Sequence, residues 1–341
     1  MQKEKKAGAE INFLSLFKKS IALSMTALIF GIQPSYADIV ASGGYNTNVS
    51  TDGNVTNITG GLINGDTGFH HFTEFGVDRN NIANLIFSNG ANRYVNLVDG
   101  RVTINGIFNA YKDGAIGGNV IFVSPLGMIV GASGIVNVGS LQTITPANEQ
   151  YQNLIGLGSR ISYGDITALR SDSNSSSTTI NGKIFAADSI DINDGRNVII
   201  GANADIVSGF NENGFAKTTA ADFQMSDIVN DSGIIDSQYM SESSNGIKIV
   251  ASNINSTGNN GLIQSAGDIS MDMNAVGSVT IGSQVVAGGD VNIGQNSSSA
   301  TEAVSNININ NNITAGGDVN LTSLSSINQA EGTQLNANSL N

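Results

Sequence analysis

The sequence predicts an all-β fold, a parallel β-helix built by stacking one kind of coil. Three observations carry that expectation. The apolar runs are short, as at 102–104, 120–123, 128–130 and 135–138, too short for helices and rich in the Val, Ile and Phe that suit strands. The runs are separated by glycine and asparagine, which enter left-handed turn conformations at low cost; the chain holds 41 glycines against three prolines. Finally, an Ala-Gly-Asp unit recurs at 266–268, 287–290 and 315–318, with Asp268, Asp290 and Asp318 in equivalent settings 22 and then 28 residues apart. That interval fits a β-helical coil better than a propeller blade or a helical repeat.

Taken in order, the chain opens with Lys3, Lys5, Lys6, Lys18 and Lys19 ahead of an apolar run at 21–32. This is the charged and then hydrophobic layout of a secretory leader with an extended front end, and the apolar run is shorter than the ~20 residues needed to span a bilayer. Pro34 and the small residues of Ser35-Tyr36-Ala37 predict cleavage between Ala37 and Asp38. Residues 38–64, mixed in Gly, Asn, Thr and Val, are expected to cap the first coil, since a stack of strands needs its edges protected. The stretch 104–135 has the same order of elements as 180–206. At about 20–28 residues per coil and about 4.8 Å per step, the mature chain predicts about a dozen coils over about 60 Å. The segments 171–177 and 295–299 read as surface loops. The charged, strand-poor segment 211–245 reads as a loop or a short helix-bearing excursion. The sequence runs to Asn341 in repeat-like residues, which predicts that it is the front part of a longer chain.

Without its leader the chain keeps 10 basic and 26 acidic residues, a formal net charge of −16. Such a surface excludes nucleic acid as a partner, because no basic stripe is present to neutralise phosphate. Cysteine is absent, which removes disulfides, thiol redox chemistry and thiolate metal sites.

The stretch 70–141 resembles the N-terminal secretion domain of filamentous haemagglutinin-type passengers of two-partner secretion systems. The similarity starts at His71-Phe72-Thr73-Glu74-Phe75-Gly76-Val77, continues through 84–90 and 96–108, and is strongest at 118–141, GNVIFVSPLGMIVGASGIVNVGSL. There an apolar strand enters a turn and a following strand ends in Val-Asn-Val-Gly. Ser124-Pro125-Leu126-Gly127 stands where the family has Asn-Pro-Asn-Gly, keeping the proline and glycine that make the bend. The resemblance implies a right-handed parallel β-helix with an N-terminal cap and extra-helical β elements. It implies a signal peptide at 1–37, a secretion domain at 38–165 and β-helical repeats at 166–341. It also implies export across the inner membrane, passage through a cognate outer-membrane β-barrel transporter, and release or display at the cell surface. On this reading the protein is a filamentous adhesin whose further partners are host-cell or bacterial surface receptors; the alternative is the front part of a secreted cytolysin or contact-dependent toxin. The residues expected to form or support the surface recognised by the transporter are Phe72, Phe75, Asn96, Arg101, Pro125, Gly127 and Asn137. For the aromatics core packing, and for Pro125 and Gly127 turn geometry, explains the residue equally well.

Enzymatic chemistry is not expected, nor is a metal or cofactor. The only histidines, His70 and His71, are adjacent, so strand alternation points them to opposite faces, and no zinc spacing, nucleophile elbow or phosphate loop accompanies them. Carboxylates such as Asp188, Asp191 and Asp194 could gather on one face of the solenoid, but calcium needs several convergent oxygens.

Overall fold

A computed structural model describes residues 38–172, 176–209, 246–258, 260–294 and 303–341. The expected leader, including Ala37, the expected excursion at 211–245 and the loop at 295–299 lie outside the described residues; Asp38 is the first residue inside them.

The described chain is a parallel β-helix with three strand faces. The first face begins with residues 67–72 of the long strand Thr67–Val77 and continues through Arg93–Val98, Asn119–Val123, Ser140–Ile144, Ser189–Asn193, Gly246–Ala251, Ile269–Met273, Val291–Ile293 and Val319–Leu321. The second face starts with 75–77 of the same long strand and runs from Val102–Ile104 to Ser326–Gln329. The third runs from Ile82–Ile86 to Leu335–Asn336. Each circuit visits the three faces in turn and each strand pairs in parallel with its equivalent one circuit away. Coils without a long excursion take 21–28 residues.

Among the described residues the coils number nine, against about a dozen expected for the mature chain, which at about 4.8 Å per step makes about 40 Å. The difference lies in two long detours. Leu141 pairs with Ile190, and Ile190 with Ile247, so two circuits each consume about twice the usual length of chain.

Alternation decides what fills the interior. On the third face Ala83, Phe108, Val136, Ile184, Ile206, Ile263, Val285, Ile313 and Leu335 occupy one continuous inward column, each at the register position of the next. The early coils hold aromatics: Phe75 meets Phe72, Phe108 and Phe122 edge-on at centroid distances of 5.2, 5.8 and 5.1 Å. The later interior is Ile, Val, Ala and Met. Residues 38–64 cover the first coil: Ile39–Ala41 and Leu62–Asn64 pair antiparallel with Thr67–Val77, and Thr47–Asp52 with Val55–Gly60.

The recurring Ala-Gly-Asp units are corners that lock coil to coil. Asp268 Oδ1 accepts the backbone N–H of Asp290 at 2.8 Å, and Asp290 Oδ1 accepts that of Asp318 at 2.8 Å. Glycine is required beside each carboxylate, because a Cβ at Gly289 or Gly317 would run into Asp268 Oδ1 or Asp290 Oδ1.

One detour is an element the sequence did not suggest. After Thr145 the chain leaves the first face and forms helix α1 (Asn148–Gly156), a 3-10 turn at Gly158–Arg160 and helix α2 (Tyr163–Thr167). Both helices are too short to show sustained periodicity. Their apolar residues Tyr151, Leu154, Ile161 and Ile166 cover Phe69, Val95, Leu97, Ile121, Val123 and Ile144 on the outer side of the first face. Strands there are buried on both sides, as the near-continuous apolar runs at 94–98 and 120–123 require.

Candidate functional site

The corner between the first and second faces of the third coil brings together three of the predicted residues. The strand Asn119–Val123 ends in Ser124-Pro125-Leu126-Gly127, and Met128–Val130 begins the next face. Pro125 presets the first central position of a turn, and the Gly127 N–H closes it on the Ser124 carbonyl at 3.1 Å. Gly127 adopts φ +71°, and a Cβ there would crowd the Ser177 carbonyl. The Ser124 hydroxyl accepts the Leu126 N–H at 3.1 Å and donates to the Gly100 carbonyl at 2.7 Å, tying this turn to the coil before it. Arg101 is exposed; its Nε–H donates to the Leu126 carbonyl at 2.8 Å and its guanidinium also reaches Ser176 Oγ. Leu126 is 46 % exposed and projects beside the guanidinium-bound carbonyl. The result is a rigid surface corner with one cation and one apolar side chain.

The other predicted residues are buried. Phe72 and Phe75 belong to the aromatic core and are 0 % and 1 % exposed. Asn96 faces the interior at the register position of His70; its Nδ2 donates to the Ile121 carbonyl at 3.3 Å, and its buried Oδ1 has no partner. Asn137 belongs to an amide ladder: Asn137 Nδ2 donates to Asn109 Oδ1 at 2.9 Å, Asn109 to Asn84 at 3.1 Å, and Asn84 to Asn57 at 3.0 Å. On the folded chain Phe72, Phe75, Asn96 and Asn137 are buried, so of the two roles expected of them, surface or support of the surface, their positions suit support. Alternation explains each, since all four are turned into the interior or lie under neighbouring side chains.

From the sequence Ser124 and Leu126 were read only as members of the turn and Ser176 only as part of the 171–177 loop, with no part in the site given to any of the three. A serine just before Pro125 is the signal that could have found the first, because a hydroxyl there can accept the N–H two residues on.

The histidines do point to opposite faces. His70 stacks on Tyr94 at 4.7 Å between centroids, its Nδ1 lies 3.0 Å from Thr47 Oγ1, and burial lowers its pKa to about 3, so it is neutral. His71 pairs with Asp99 at 2.8 Å, and the Tyr151 hydroxyl donates to the same Asp99 oxygen at 3.0 Å, joining helix α1 to the first face.

Asp188, Asp191 and Asp194 do not converge. Asp188 and Asp191 line a cleft of about 290 Å³ with Arg93 and Tyr163, whereas Asp194 is fully buried at a corner. Burial pushes the Asp194 carboxyl up to about 6, against the backbone N–H of Arg196, which Oδ1 accepts at 2.9 Å. Among the described residues no three His, Asp or Glu side chains are placed to hold a metal ion, and no helix is long and apolar enough to cross a membrane. No protein-family model matches the sequence, and no curated protein matches it.

Proposed function

We propose that this chain is an exported, non-enzymatic passenger of a two-partner secretion system, a filamentous adhesin whose N-terminal coils are recognised by a dedicated outer-membrane β-barrel. The observation that carries the reading is the Arg101 and Ser124–Gly127 corner: an exposed, pinned turn between two consecutive strands of one coil, in a motif order that resembles that of those secretion domains. In place of the family's first asparagine, the Ser124 hydroxyl supplies the local hydrogen bond that an asparagine amide would make there. The second asparagine is replaced by Leu126, whose side chain makes no part of the turn, so the bend survives the change.

Phe72, Phe75, Asn96 and Asn137 are inaccessible once the coils close, so any contact they make with the transporter precedes folding. Docking of successive coils outside the cell then buries them and opposes return.

The test is secretion of the full chain from a Gram-negative host with and without the β-barrel partner encoded nearest its gene, read as processed protein in cell-free medium. Release that requires the partner is the expected result. Arg101→Ala is expected to reduce release several-fold while leaving the fold intact by circular dichroism. A processed, folded chain retained in the periplasm despite the partner would overturn the proposal.

A further inference from the structure

The corner between the second and third faces alternates in length along the first coils. Coil one turns through 78–81, coil two through only Asn105-Gly106, coil three through 131–134, and coil four again through only Asn181-Gly182. The long corners are braced, the Asn81 N–H donating to the Asp78 carbonyl at 3.0 Å and the Gly134 N–H to the Gly131 carbonyl at 2.8 Å. They stand as two walls above the short corner of coil two. The space between is a cleft of about 510 Å³, within the 300–1,000 Å³ typical of ligand sites.

Its lining is chemically specific. At the floor the half-buried Ile107 lies between Ile82 and Ile135, which are 2 % and 6 % exposed, at mutual register positions on the third face. Asn54, Asn80, Asn81, Asn105 and Ser133 line it with amides and a hydroxyl, Asn54 Nδ2 donating to the Asn80 carbonyl at 3.1 Å and the Ser133 hydroxyl to the Asn105 carbonyl at 2.7 Å. The charged residues in the lining are Arg79 and Lys183, with no carboxylate among them. Lys183 is paired with Asp205, whereas Arg79 is exposed and makes no ion pair among the described residues.

We infer that this cleft is a binding site for a short acidic saccharide. Amides meet sugar hydroxyls, Ile107 at the floor meets the apolar face of a ring, and the Arg79 guanidinium takes a carboxylate or sulfate in its bidentate fork. A peptide strand is disfavoured, because the backbone at the floor is already paired between coils: Ile107 N–H to the Asn81 carbonyl, Ile135 to Gly106 and Lys183 to Gly134, each at 2.9 Å. No free strand edge remains there for an added strand. A nucleic acid is disfavoured by a chain of net charge −13 that offers one unpaired cation here.

The experiment is calorimetric titration of the purified full chain with a heparin-derived tetrasaccharide and, separately, with neutral cellotetraose. Arg79→Ala and Ala132→Glu change exposed positions on the two walls, and Arg160→Ala is a charge-matched control away from the cleft. Binding of the acidic tetrasaccharide alone, weakened at least tenfold by Arg79→Ala and by Ala132→Glu but not by Arg160→Ala, is the expected result. Equal binding of the neutral sugar, equal loss in the control, or no binding of the acidic probe would each overturn the inference.

Discussion

At the scale of single residues, buried polar side chains are tolerated only where a neighbouring coil satisfies them. Asn109 both donates to Asn84 and accepts from Asn137, so Asn109→Ala removes one hydrogen bond from each of two buried amides at once. The expected loss is about 2–4 kcal/mol, measured by urea unfolding, and a loss below 1 kcal/mol would mean the ladder is incidental. Two titrating groups give opposite pH dependences. His70 has a native pKa of about 3 against 6.5, so the unfolded chain binds the extra proton and stability falls as pH drops from 6.5 towards 3. Asp194 has a native pKa of about 6 against 3.8, so the native state holds the extra proton and stability falls as pH rises from about 4 to 6. Between pH 4 and 6 the two slopes oppose each other, so in thermal melts Asp194→Asn should leave stability rising with pH through that window and His70→Gln should leave it falling there. Unchanged profiles in either variant would assign the titration elsewhere. Pro125 and Gly127 were legible from the sequence because a turn restricts backbone angles whatever surrounds it. Asn96 and Asn137 were not, because an asparagine that stacks and one that is displayed look alike in a string.

Elements are defined by what they cover. The helical detour carries Tyr151, Leu154, Ile161 and Ile166 over the outer side of the first face, and is anchored by Arg93 above the Tyr163 ring at 4.1 Å and by Asn64 Nδ2 donating to the Ile161 carbonyl at 2.9 Å. Replacing 147–170 by a short polar linker would leave Phe69, Val95, Leu97, Ile121 and Val123 facing water. The shortened chain is expected to keep its strand signature, bind a hydrophobic dye and self-associate, since contiguous apolar patches of this kind are rarely left open. A dye-free monomer would show that the helices are not the cover. The strands themselves were readable as short apolar runs. The helices were not, because their apolar positions are chosen by a partner surface that lies up to 100 residues earlier in the sequence.

For the whole molecule, each coil contacts chiefly the coils beside it, so stability is a sum of neighbour terms and damage stays local. Phe75→Ala removes the ring that joins Phe72, Phe108 and Phe122 and is expected to cost about 3–5 kcal/mol. Hydrogen exchange should show protection lost through 67–144 and retained through 262–321. Uniform loss along the stack would instead indicate a single cooperative unit.

The sequence by itself determined the coil: strand-forming residues in short runs, glycine and asparagine at corners, and repeated aspartates spaced by one circuit. These are local choices, and stacking follows once alternate side chains must leave water. Tertiary structure alone decided the number of coils, the helical cover, the partners of Asp194 and His70, and the cleft beneath Arg79. Each depends on which residues of different circuits come to lie one coil apart, and that register is set by the length of every detour between them.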